Sequence, residues 1–271
     1  MKQKISNFIL VIIFVIGLSL LLYPIISDFW NSIHQSGAIA SYEEKVALMD
    51  HNSYDEIWQD ATEYNEKLAI NGNKWILTDD EKKEYEKLLN ITDSGVMGYI
   101  DIPSIDCKLP VYHGIDKAVL QIAVGHIEGS SLPVGGNSTH AVLSGHRGLP
   151  SARLFSDLDR MVEGDTFMLH ILDRTLTYEV DQISIVLPNE LDMLKIEENK
   201  DLCTLVTCTP YGVNSHRLLV TGHRVENVAG EVHVTADALQ IDPIMVAPLI
   251  ASLMLLVLLI ILLVKSSKKK K

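Results

Sequence analysis

Two uncharged apolar runs, one near each end of the 271-residue chain, restrict its architecture more than any other feature. The first, Phe8 to Ile26, is nearly unbroken Ile, Leu, Val and Phe and is preceded by Lys2 and Lys4. The second, Ile244 to Val264, spans 21 residues and is followed by Lys265 and Lys268 to Lys271. About 20 apolar residues at about 1.5 Å rise each match a hydrocarbon core of roughly 30 Å, so both runs read as membrane-spanning helices. Their basic flanks lie outside the segment between them, which places both termini in the cytoplasm and the middle of the chain outside it. Ala38-Ile39-Ala40 has the small-x-small form of a signal-cleavage site, but it lies well past the apolar run. An uncleaved anchor is therefore the expectation.

The charge divides along the same lines. No acidic residue precedes Asp28 or follows Asp242. Seven of the 23 basic residues sit in the flanks, which leaves 16 against 35 acidic ones between the spans, a net charge of −19. Nucleic acid is excluded as a partner, because phosphate binding needs clustered Lys and Arg. Polypeptides with basic patches suit such a surface better. Three cysteines are too few for a disulfide-dense scaffold.

The first part of the ectodomain reads as helical. From Ser41 to about Leu68, Val46, Met49, Ile57, Tyr64 and Leu68 recur near helical spacing among Glu, Asp and Lys. Asn71-Gly72-Asn73 breaks that helix, and Thr78-Asp79-Asp80-Glu81 has capping-box spacing ahead of a short helix through Leu89. These helices either pack against the following domain or gate it. After Gly95 the texture becomes short β-prone stretches: Val96–Ile102, Lys108–Tyr112, His140–Ser144, Thr166–Leu172, Thr175–Leu187, Leu202–Cys208 and His216–Thr221. Asp116–Ile122 and Ser151–Leu158 read as brief helices. Seven or eight strands in so short a segment imply a closed barrel or sandwich.

The chemistry gathers around Cys208. Thr204 to Cys208 is a strand running into a Thr-Pro-Tyr-Gly turn, and Arg217 opens the next strand, so a hairpin would place residues 208 and 217 opposite each other. A guanidinium beside a thiol stabilises the thiolate and offers fixed donors to a developing oxyanion. A proton carrier must accompany the thiol. His146 ends a strand at Gly145-His146-Arg147-Gly148, and His126 also follows a glycine; the residues alone leave the choice open. A zinc site of His126, His146 and Cys208 is conceivable, but no pair has the usual ligand spacing. Period-2 alternation turns Cys203 to the face opposite Cys208. A Cys107–Cys203 bridge stays open at this stage.

These residues carry a resemblance to a known family. Thr204-Leu205-Val206-Thr207-Cys208 resembles the TLxTC signature of sortases, Arg217 their active-site Arg, and Leu143-Ser144-Gly145-His146-Arg147 the strand that delivers their histidine. Ser131-Leu132-Pro133-Val134-Gly135-Gly136 and the segment Thr209 to Arg217 are similar to class C, the pilus-assembling sortases of Gram-positive bacteria. The likeness runs from about Ser41 to Arg224. It implies a mainly β fold: an eight-stranded sortase-type β-barrel with short helices, preceded by a helical segment and flanked by two transmembrane helices. It also implies a cysteine transpeptidase, a thiol-protease-like hydrolase, with Cys208 as nucleophile, His146 as acid/base, Arg217 as oxyanion donor and Thr207 and Thr209 at the substrate. No metal or other cofactor is expected. The implied partners are pilins or surface proteins with LPxTG-like signals, and the acceptor is a Lys amine of a pilin. A hydrolytic peptidase, or a housekeeping-type sortase that anchors proteins to the cell wall, is the alternative.

The expected layout follows. Residues 1–27 form a cytoplasmic stub and first span or signal anchor, 28–95 a helical segment with a candidate lid, and 96–228 the catalytic barrel. Residues 229–243 are a linker, 244–264 the second span and 265–271 a basic tail. The lid departs from the family pattern. Class C lids usually carry an Asp-Pro-aromatic motif, whereas Asn71-Gly72-Asn73-Lys74-Trp75-Ile76-Leu77 has no Asp-Pro pair. Trp75 is the expected plug.

Overall fold

Residues 2–92, 94–227, 250–257 and 259–260 are described by the structure, a computed structural model. The first apolar run lies inside α1 (Lys2–Ala47), a helix that continues through Pro24. Among the described residues one stretch, Val11–Ala47 of this helix, is long and apolar enough to cross a membrane. Most of the second run lies outside the described residues; 250–257 and 259–260 are helical. The chain divides into two compact units, and the larger, Asn31–Ala229, contains all the strands among the described residues.

One helix was expected from Ser41 to Leu68, and two are found. Helix α1 stops at Ala47 and α2 (His51–Asn71) restarts where Asp50 caps it, its carboxylate accepting from Ser53 N at 2.8 Å. A local side-chain bond of this kind offers the backbone a new start and so interrupts an otherwise helical pattern. Helix α3 (Asp79–Tyr85) carries the predicted capping box: Thr78 Oγ1 accepts from Glu81 N, and the Glu81 carboxylate accepts from Thr78 N at 2.8 Å.

The helical ends are fastened to the barrel by buried polar anchors. Tyr42 donates its hydroxyl proton to Met97 O at 2.9 Å and accepts from Leu172 N at 2.8 Å. Asn65, 2% exposed, donates to Leu132 O and accepts from Leu132 N, at 3.0 and 2.7 Å. Each anchor satisfies the polar atoms it buries, which is the condition for burying them without cost.

The barrel comprises β1 (Val96–Ile102), β2 (Cys107–His113), β3 (Val124–His126), β4 (Thr139–Ser144), β5 (Thr166–Ile171), β6 (Arg174–Val186), β7 (Asp201–Thr209) and β8 (His216–Val225). It closes in the order β1-β2-β3-β4-β7-β8-β6-β5, with β2–β3 and β4–β7 parallel and the other pairs antiparallel. The predicted strands are present within a few residues of their expected ends. Strand β3, three residues long, was not predicted because it is too short to display a period. The short helix expected over Asp116–Ile122 is α4 (Lys117–Leu120). The helix expected over Ser151–Leu158 is absent. Leu154 adopts φ 42°, and only a 3-10 turn at Leu158–Arg160 follows. A left-handed value of this kind ends any right-handed helix.

Alternate residues of β7 serve different layers. Cys203 and Leu205 join the barrel interior with Ile100, Phe167 and Tyr178. Val206 faces outward into a second cluster with Val142, Val186, Leu194 and Leu219. Both faces of this wall are therefore covered, which is why β7 after Asp201 reads as an uncharged run rather than a clean alternation. The three cysteines are free, so Cys107 and Cys203 do not pair. Burial pushes the Cys107 thiol up to about 12 and that of Cys203 well above its usual range. Both are therefore inert hydrophobes.

Candidate active site

Cys208 and Arg217 are direct partners across the β7–β8 ladder. Opposed residues of an antiparallel pair have Cβ atoms roughly 4.5–5.5 Å apart on one face. Cys208 is partly exposed there. The loop between them is wound tightly, with Val213 N and Asn214 N both donating to Pro210 O at 3.1 and 3.0 Å, and Asn214 at φ 59°. Arg217 Nη1 donates to the carbonyls of Asn214 at 3.3 Å and His216 at 3.1 Å, which fixes the guanidinium over the end of the hairpin.

His146 arrives from β4, the parallel neighbour of β7. Ser144 is in register with Val206, Gly145 N donates to Val206 O at 3.0 Å, and Thr207 Oγ1 donates to Gly145 O at 2.8 Å. The ladder ends there, and His146 follows two residues on, leaving the strand at the Cys208 end of β7 and near enough to Arg217 to feel its charge. The next turn is locked as well, since Phe155 N donates to His146 O at 3.1 Å. Gly145 is required at this point: a Cβ there would lie 2.7 Å from the Phe155 ring. Burial, and then the nearby Arg217 charge, hold the proton affinity of His146 below the ordinary histidine value.

Thr207 and Thr209, expected at the substrate, have side chains turned into the protein. Thr207 is 1% exposed, and its hydroxyl is used on Gly145 O. Thr209 is 8% exposed and accepts from Arg147 Nη1 at 3.5 Å. That distance is the long limit for such a bond. Arg147 itself was not singled out from the sequence. Its side chain is 10% exposed, pairs with Asp159 and lies over the Tyr211 ring, 5.9 Å from the centroid. It thereby joins the strand end that bears His146 to the loop between Cys208 and Arg217. Its position directly after the histidine in Gly-His-Arg-Gly was the available signal.

His126, the competing candidate, has no free ring nitrogen for catalysis or for zinc. Ser131 O only accepts, so Nε2 carries the proton and donates to it at 2.8 Å, and Nδ1 accepts from the Tyr85 hydroxyl at 2.9 Å. Fully buried, it has its proton affinity pushed down to about 4. A depressed histidine stabilises the fold above its unfolded value near 6.5, and that contribution is lost as pH falls toward 4. Between pH 7 and pH 5 His126 alone is expected to remove about 2 kcal/mol of stability. His126→Gln should flatten this dependence in urea denaturation followed across that range; an equally steep variant would disprove the assignment.

Trp75 packs on the outward cluster of Val142, Val186, Leu194, Val206 and Leu219. Val206 and Leu219 are the next residues on the same face as Cys208 and Arg217, so this cluster adjoins that pair along the wall. The segment around it is pinned on both sides. Lys74 N donates to Gly129 O at 3.2 Å and Ile196 N to Asn73 Oδ1 at 2.9 Å. A Cβ at Gly129, φ 82°, would lie 1.8 Å from Lys74 O. Only glycine admits this approach. A groove of about 550 Å³ runs past Ile70, Gly72, Asn73, Trp75, Lys195 and Ile196, and Cys208 does not line it.

A closed eight-stranded barrel presenting a cysteine, a histidine and an arginine together at one strand end has the form of a cysteine-dependent acyl-transfer enzyme. The Sortase domain family matches residues 100–225. Sortase C1 of Streptococcus agalactiae is 56% identical, with a TM-score of 0.69 over 70% of this chain and 98% of that one. Sortase C of Clostridium perfringens, solved with the C-terminal cell wall sorting motif, is 44% identical, with a TM-score of 0.63 over 71% of this chain and 100% of that one. Sortase A of Bacillus anthracis is 26% identical over 83% of this chain and 96% of its own length. The chain belongs to the sortase family of cysteine transpeptidases, and its structural neighbours place it with class C.

Proposed function

We propose that this enzyme polymerises pilins at the outer face of the membrane, with Cys208 as nucleophile, His146 as acid/base and Arg217 as oxyanion donor. The observation that carries the reading is the Cys208–Arg217 pair across β7–β8, with His146 two residues beyond the end of β4, the parallel neighbour of β7, and close enough to Arg217 to feel its charge. The Cys208 thiolate attacks the Thr carbonyl of an LPxTG-like signal, and Arg217 donates to the oxyanion that forms. The C–N bond breaks as His146 protonates the leaving amine, leaving a thioacyl enzyme. A Lys amine of the next pilin then attacks, His146 takes its proton, the C–S bond breaks and an isopeptide bond joins the subunits. Thiolate and imidazolium must coexist, so activity is bell-shaped in pH. The lowered proton affinity of His146 sets the acid limb below about pH 6.5. Thr207 and Thr209 act by holding the strand ends that frame Cys208. Both apolar runs anchor the chain, with the boundaries given above and the barrel outside the cell.

Incubating the ectodomain, Ser41 to Asp242, with candidate pilins tests the reading. A ladder that depends on Cys208 supports it, whereas release of the cleaved signal as free acid, with or without amine acceptor, identifies a peptidase.

The segment Asn71–Leu77 acts as the lid, with Trp75 occupying the apolar floor next to Cys208 in place of a substrate side chain. Trp75→Ala is expected to raise the rate of Cys208 modification by a thiol reagent about three- to tenfold, as the open form gains population. Unchanged reactivity would sink the plug.

A further inference from the structure

Strand β6 is longer than its partner on one side. Strand β5 pairs with Arg174–Glu179 only, and Val180 exchanges backbone bonds with Gly164 and Asp165 at 2.8 Å, after which the chain before β5 turns away. Strand β8 continues along the other side to Val186, past a bulge at Asp181. From Asp181 to Val186 the β5-side edge of β6 therefore has no strand partner among the described residues. The six residues Gln182-Ile183-Ser184-Ile185-Val186-Leu187 carry no charge, and Ile183, Ile185 and Leu187 are 36%, 64% and 45% exposed. Protein edges are normally blunted by Lys, Pro or covering segments. Among the described residues this one is uncovered, and it is apolar and set in a domain rich in acidic residues.

Its position gives it a use. Val186 is in register with Arg217, and Arg217 with Cys208, so the edge ends in the row that holds the nucleophile. We infer that this edge docks an extended segment of the Lys-bearing acceptor polypeptide as an added strand, resting on the transpeptidase reading above. An added strand would lie about 15 Å from Cys208, three strand spacings. Three or four further residues at about 3.3 Å each, together with the Lys stem, cover that distance. Main-chain bonds along the edge supply affinity, and Ile183 and Ile185 receive alternate side chains. The margins complement a cationic acceptor: exposed Glu163 stands at the β5 turn, Asp181 at the bulge and Glu190, whose carboxylate accepts from Leu187 N, at the far end. The chemistry also requires a second polypeptide near the site, since the acyl donor holds the thiol while the amine arrives.

The test uses the full chain in detergent micelles, with Ile183→Lys and Ile185→Lys combined. Three rates are measured: acylation by an LPxTG-like peptide, release of the acyl group to hydroxylamine, and transfer to the subunit that gives Cys208-dependent ladders. Acylation and hydroxylamine release are expected within twofold of the parent, while transfer to the subunit falls at least tenfold through a raised KM. Undiminished transfer overturns the docking site and leaves the transpeptidase reading standing; absence of ladders from the parent enzyme overturns both. Should all three rates fall together, a photo-crosslinking benzoylphenylalanine at position 185 decides. Adducts with the acceptor support the site. Adducts solely with a second copy, or with residues 228–243 of the same chain, overturn it.

Discussion

Replacing Cys208 with Ala is expected to abolish signal cleavage and ladder formation together, a loss of roughly 10⁴-fold or more, because no other group can form the acyl bond. The fold should survive. Cys208 is partly exposed at a strand end, so removing its sulfur empties little packed volume. Cys203 provides the contrast, being 0% exposed in the barrel interior. Cys203→Ala should cost about 1–2 kcal/mol of stability while leaving the activity of the folded fraction unchanged. Peptide cleavage and urea denaturation of the two variants separate the roles. Residual ladder formation by Cys208→Ala would remove the thiol from the mechanism.

Arg217→Ala carries the second-largest effect, about 10²–10³ in kcat, the usual cost of losing one oxyanion donor. Arg217→Lys should recover only part of it, because an ammonium lacks the planar guanidinium, which here is held by Nη1 on both the Asn214 and His216 carbonyls. A second readout follows from electrostatics. Burial is the first cause of the depressed His146 proton affinity and the Arg217 charge the second. Without Arg217 the imidazole binds its proton more readily, so the acid limb of the activity profile moves up toward about pH 6.5. NMR titration of the His146 ring in Arg217→Ala should show the same upward movement. A titration midpoint that stays in place would mean that the two side chains do not share a site.

How much of the site was legible depended on how local its geometry is. Cys208 and Arg217 lie on one hairpin, so their apposition follows from a short stretch of sequence and the ordinary register of an antiparallel pair. His146 stands far upstream of Cys208 and reaches it through a parallel pairing of β4 with β7 that no short window displays. For the same reason His126 could be set aside only when both of its ring nitrogens were found occupied, by Tyr85 and by Ser131. Thr207 reads as a substrate contact from its place beside the cysteine. In the fold its hydroxyl is buried and donates to Gly145 O, a contact that no short window of sequence displays.

Helix ends behaved similarly. The Thr78–Glu81 capping box was readable because both partners lie within one turn. The break at Leu48–Asp50 rests on an Asp cap that resembles any other polar residue in an amphipathic stretch. The Ser151–Leu158 segment reads as a helix because composition does not reveal the left-handed Leu154. The next residue, Phe155, has its ring against Gly145, a contact between segments that composition does not display either.

By itself the sequence determined the two apolar runs, the acidic segment between them, seven of the eight strands, and the thiol–guanidinium hairpin with its family likeness. Each of these follows from composition, a short period or a local motif. Only the tertiary structure decided the strand order, the free state of Cys107 and Cys203, the occupied ring nitrogens of His126, the seat of Trp75 and the edge of β6 left unpaired among the described residues. Those depend on which distant segments pack together and so which polar atoms lose water, a property of the closed barrel rather than of any stretch of the chain.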